Sequence, residues 1–134
     1  MRKLPGLVIG DLEFKVPIVQ GGMGVRIGGP RLVSAVANYG GLGTLSAMGL
    51  CPVDTKARDF KRVGNESLIA ELQATKALMP DKPLALNVMV AATNWEQLVR
   101  TGAENGADLI VSGAGLPLKM PEVVEGTNAK IAPM

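Results

Sequence analysis

Histidine is absent from the 134 residues and there is a single cysteine, Cys51. The side chains that most often act as general base or neutral metal ligand are therefore missing. Zinc sites and Ser-His-Asp arrangements have almost no material, and no metal ion is expected. Cys51 has no neighbour in sequence that clearly lowers its pKa, so it is read as a structural or incidental thiol. Chemistry must come instead from glycine clusters and from polar residues that interrupt apolar runs. The stretch PIVQGGMGV (17–25) stops an apolar run on Gly21, Gly22, Met23 and Gly24. Glycine is favoured where φ must be positive or where backbone must approach something closely, and that something is either another piece of protein or a ligand. Similar breaks occur at SAMG (46–49), LNVMV (86–90) and SGAGLP (112–117). Asn87, inside the apolar ALNVMV, is the most informative single residue. A buried amide must find donors and acceptors, and a core strand has few to spare; its partner is either a neighbouring turn or a ligand.

The elements that would position these residues alternate along the chain. PIVQ (17–20) reads as a buried strand, followed through the glycine turn by a helix in GPRLVSAVANYGG (29–41). Pro30 suits its first turn, Leu32, Val33, Val36 and Ala37 share a face, and Gly40 suits its stop. LGTLSAM (42–48) is a second strand. NESLIAELQATKALMP (65–80) is a second helix, with Asn65 a candidate N-cap, Leu68, Ile69, Leu72 and Leu78 at helical spacing, and Pro80 as terminator. A third strand (82–91), a third helix capped by Asn94 and closed by Gly106, a fourth strand (107–115) and a fifth beginning at KIAPM (130–134) complete the pattern. Strand and helix alternating at this spacing predict right-handed βαβ units and a parallel sheet. Such sheets bind ligands at the carboxyl ends of their strands, where all four glycine or polar breaks fall.

Two parallel architectures compete. A dinucleotide-binding sheet places G-x-G-x-x-G directly before a helix and an acidic residue near the end of the second strand; here the glycines are misplaced and that strand ends on Ser46 and Ala47. A (β/α)8 barrel fits better but needs about 250 residues. The expectation is one domain, residues 1–134, forming the N-terminal half of a single barrel with its first four to five βα units.

Composition excludes several classes. With 47% hydrophobic residues the chain can bury a core, and with a net charge of +2 and only four aromatic rings it has neither the clustered charge nor the stacking platforms of a nucleic-acid surface. The basic run KARDFKR (56–62) reads as a solvated face. The opening MRKLPGLVIGD is too short and too broken for an export signal, and no apolar run reaches the roughly 18 residues of a membrane helix. A cytoplasmic protein with no membrane partner is expected, in keeping with a lone thiol.

PIVQGGMGV, SAVANYGGLGTLSAMG and LALNVMVAATNWEQLVRTGAENGADLIVSGAGLPLKMP together resemble the nitronate monooxygenases, formerly 2-nitropropane dioxygenases, and their relatives the FMN-dependent enoyl-acyl-carrier-protein reductases. The resemblance runs from about Leu12 to the last residue. It implies a (β/α)8 barrel holding FMN without covalent attachment at the mouth of the strands. A flat isoalloxazine needs main-chain groups to reach its edge, which side chains at Gly21, Gly22 and Gly24 would obstruct. Met23 could pack on the ring or in the core. The resemblance assigns Asn87 to the flavin, backbone of Gly113 and Ala114 to the same face, and Gly115, Leu116 and Pro117 to the substrate side.

The implied activity is oxidation of an alkyl nitronate with molecular oxygen to a carbonyl compound and nitrite. The catalytic histidine and the phosphate-binding loops implied by the resemblance are not found in these residues, so no catalytic residue is assigned. The loop from Ser46 to Ser67 is longer than expected for the reductases. Enoyl-thioester reduction with a nicotinamide donor, or a non-catalytic ligand-binding half-barrel, are the alternatives. A sheet stopping at strand five leaves two edges unpaired, so the chain alone is expected to aggregate or form a homodimer.

Overall fold

Two short antiparallel strands, β1 (Leu7–Ile9) and β2 (Leu12–Phe14), begin the computed structural model, which describes residues 4–134. Gly10, at φ 62°, turns one strand into the other. The rest is α/β: α1 (Pro30–Asn38), β3 (Gly43–Ser46), α2 (Phe60–Leu78), β4 (Leu84–Met89), α3 (Trp95–Glu104), β5 (Leu109–Gly113), α4 (Met120–Val123) and β6 (Lys130–Pro133). The four strands β3, β4, β5 and β6 lie side by side in chain order, all parallel.

The expected strand at 17–20 is reduced to a bridge between Val19 and Leu42. Leu42 N–H donates to Ile18 O and Gln20 N–H to Leu42 O, both at 2.9 Å, so the segment lies beside β3. Pro17 brings no N–H to the ladder, and beyond Gln20 the chain leaves the sheet. The Gln20 side chain supplies the next rung: Thr44 N–H donates to its Oε1 and its Nε2 donates to Thr44 O, each at 3.1 Å.

Alternation along the strands sorts their residues into two cores. Leu45, Leu84, Leu86, Val88 and Ile110 face the helices and pack with Val33, Leu68, Leu72 and Val99. Gly43 is required on that side because a Cβ would overlap the Val33 carbonyl of α1. Ala85, Leu109 and Leu42 belong to the opposite face, where Phe14, with Leu7, Ile9 and Leu12, covers one end. The hairpin thus closes the inner face at the end where the strands begin.

Helix α1 starts on Pro30 as expected, and Gly40 follows it at φ 94°. Leu32 is 38% exposed rather than part of the buried face. Helix α2 begins at Phe60, five residues before the expected cap, and Asn65 lies within it, its Oδ1 accepting a 2.6 Å bond from Thr101 Oγ1. The basic run spans this start, with residues 57–59 forming a 3-10 turn and Phe60 to Arg62 the first residues of the helix. The run is a solvated face as expected, and on it Arg62 pairs with Glu66 at 2.9 Å and with Asp59 at 3.6 Å, contacts that support the helix start. Asn94 precedes α3, without a side-chain capping bond, and Gly106 ends it at φ 100°. Among the described residues no helix is long and apolar enough to cross a membrane.

Candidate active site

The parallel ladder sets Ser46, Asn87, Val111 and Ala132 in one lateral row on the inner face. Met89 and Gly113 are paired one step nearer the strand ends. None of these side chains ionises, so the row offers amide, hydroxyl and main-chain groups and no proton-transfer group.

Asn87 is half-buried, and its Nδ2 makes only a long bond, 3.5 Å, to Val111 O. Gly22 is seated against it: a Cβ on Gly22 would overlap the Cβ of Asn87 and lie 2.9 Å from its Cγ. Two residues 65 positions apart in sequence, both expected at the site, are thus in contact. Gly21 differs, since a Cβ there would meet nothing within 4 Å. Gly24 is held close to the next turn, with Met48 O 3.3 Å from its would-be Cβ and Val25 N–H donating to that oxygen at 3.0 Å. Met23 is 37% exposed and so does not fill the core.

The turn after β5 lies at the same end. Val90 N–H donates to Gly113 O at 2.9 Å, Ala114 adopts φ 58°, and Gly115 adopts φ 147° with its would-be Cβ 2.9 Å from Val90 Cβ. Leu116 is 80% exposed, while Pro117 is half-buried.

Further residues join the site. Ser46 Oγ accepts a 3.3 Å bond from Met48 N–H, which shapes the turn after β3. Thr44, buried one step below Ser46 on its strand, has an Oγ1 with no partner among the described residues. Gln20, Thr44 and Ser46 carry the same signal as Asn87, a polar side chain interrupting an apolar strand. Left-handed backbone falls not on Gly21, Gly22 or Gly24 but on Val25 and Arg26, which composition does not announce.

The family model for nitronate monooxygenase matches residues 7–129. The chain belongs to the nitronate monooxygenase family. Two solved structures share the fold of this family member: FabK from Thermotoga maritima and a mutant of the same protein, each at 26% identity and a TM-score of 0.69 over 90% of this chain. The chain spans 34% and 36% of their lengths, about a third. No curated protein matches it. The sheet β3 to β6 with the segment at 17–20 is accordingly part of a (β/α)8 barrel, and the row through Asn87 lies on the face turned away from the helices.

Proposed function

We propose that this chain forms the flavin-binding side of an FMN-dependent nitronate monooxygenase. The contact of Gly22 with Asn87 at the mouth of a nitronate monooxygenase-family barrel carries the reading. The residues fit a flat ring. Space above Gly21 is open, the Asn87 amide is under-used, and Gly113 leaves only ordinary contact distance to Met134. Gly21, Gly22, Met23, Gly24, Gly113 and Ala114 would hold the ring through main-chain groups, and Asn87 would offer it a side-chain amide. FMN would supply the electron acceptor through which an alkyl nitronate and molecular oxygen become a carbonyl compound and nitrite.

The chain's own residues bind and orient. Gly115, Leu116 and Pro117 border the space a nitronate would occupy, and the apolar Leu116 would help to exclude water from it. Proton transfer is assigned to a histidine outside these residues, as the family resemblance implies. A cytoplasmic location is part of the same proposal, supported by the lone Cys51.

The likeness to the two FabK structures favours a second reading, an FMN-dependent enoyl-acyl-carrier-protein reductase using a nicotinamide donor. Oxygen uptake by the full-length gene product decides between them. Consumption of oxygen with an alkyl nitronate and no nicotinamide is expected. Turnover of a crotonyl thioester with NADH or NADPH, and none of nitronates, would reverse the assignment, and neither activity together with no bound FMN would leave a non-catalytic half-barrel.

A further inference from the structure

The loop that carries Gly21 to Gly24 continues into two residues in the left-handed region, Val25 at φ 48° and Arg26 at φ 63°. That conformation is costly for any side chain and most of all for one branched at Cβ, so it persists only where the surroundings impose it. Two sets of contacts do so. Val25 N–H donates to Met48 O, and Gly49 of the same turn lies so close that a Cβ there would be 2.9 Å from Val25 N. The Arg26 guanidinium reaches further, with Nη1 2.6 Å from Glu71 Oε1 on α2 and Nη2 2.6 Å from Leu50 O. Glu71 has only 12% of its side chain exposed, so the pair is partly sheltered from water and salt.

We propose that Arg26 is a positioning residue for the flavin loop. Through Glu71 and Leu50 O it fixes the left-handed pair and so sets the path of the Gly21–Gly24 backbone across the strand ends. The choice of ligand rests on the flavin reading above, whereas the clamp does not. A planar fork with separate donors for a carboxylate and a carbonyl is what arginine supplies and lysine does not, since an ammonium is a point charge on a flexible stem. Arg26 acts on the ligand only through the loop.

Hydrogen exchange at the amides of Val25 and Gly28, whose acceptors are Met48 O and Met23 O, reads the loop directly. The measurement is made on the full-length gene product and its R26A, R26K, E71A and R26A/E71A variants, with FMN affinity taken on the same preparations by fluorescence quenching. In R26A both amides are expected to exchange about tenfold faster while those of Leu86 and Ile110 in the sheet hold their rates, with R26K intermediate. FMN affinity should fall about tenfold in R26A, by less in E71A, which leaves the bond to Leu50 O, and no further in the double variant than in R26A, because Glu71 acts on the loop only through Arg26. Unchanged exchange at Val25 and Gly28 in R26A would overturn the clamp. So would an equal rise at the sheet amides or full additivity in the double variant. Wild-type protein without affinity for FMN would instead defeat the flavin reading, and the exchange rates would still decide the clamp.

Discussion

Gly21 and Gly22 are adjacent, yet they are glycine for different reasons. At Gly22 the neighbour is protein, the Asn87 side chain; at Gly21 there is open space. Gly22→Ala should therefore cost about 1–3 kcal/mol by overpacking, seen as a lower urea midpoint. Gly21→Ala should leave folding stability within about 0.5 kcal/mol of wild type while reducing FMN affinity, a separation that equal stability losses in both variants would remove. The need for glycine at 22 was legible in the sequence as a cluster at a strand end, but its partner was not, because Asn87 lies a full βαβ unit and more away. Val25 and Arg26 were not legible as left-handed at all. Local preference argues against that conformation, and only Met48, Leu50 and Glu71, all distant in sequence, impose it.

Elements here are joined by a few polar contacts at the end of the sheet where the strands begin. Asp108 Oδ2 accepts bonds from Lys76 Nζ at 2.7 Å and from Leu84 N–H at 2.8 Å, tying the last turns of α2 to the start of β4. Asp108→Ala should lower the unfolding free energy by about 1–3 kcal/mol with an unchanged denaturant slope. Asp11, in the hairpin turn, pairs with Lys130 of β6 at 2.9 Å, and that hydrogen bond holds its carboxyl below the ordinary value of 3.8. Because the folded pKa is depressed, the contribution is present above the unfolded value and is lost as the pH falls through the lowered one. An NMR titration of Asp11 should show its pKa returning toward 3.8 in Lys130→Met, and no movement would break the assignment. Helices α1 and α3 and strands β3 to β6 follow apolar periodicity and helix stops, so their order was readable from the chain. The hairpin is marked in the sequence only by the Gly10-Asp11 pair between LVI and LEF, because strands of three residues are too short to show a period of their own. The start of α2 is not legible locally, because Arg62, Glu66 and Asp59 stabilise a first turn that lacks any side-chain cap.

The molecule as described is an open sheet. β6 pairs only with β5, and the segment at 17–20 only with β3, while Ile18 and Tyr39 beside that edge are 58% and 88% exposed. Unpaired edges with exposed apolar side chains recruit other strands. The 134-residue chain by itself is predicted to elute in size-exclusion chromatography as dimer or aggregate, with little flavin absorbance; a compact monomer carrying stoichiometric FMN would show that these strands suffice. Parallel order and a barrel were both readable from repeated βα spacing, because each unit states its period locally. Closure of the sheet was not, since it depends on partners no local pattern names. The proposal that the strand ends from Gly21 to Ala114 hold a flavin is tested most directly by the absorbance near 450 nm of the purified full-length gene product, compared with its Asn87→Ala variant at equal protein concentration. A yellow wild type that releases FMN on denaturation, beside a variant that has lost most of it, is the predicted result. A colourless wild type, or a variant with undiminished flavin, would contradict it.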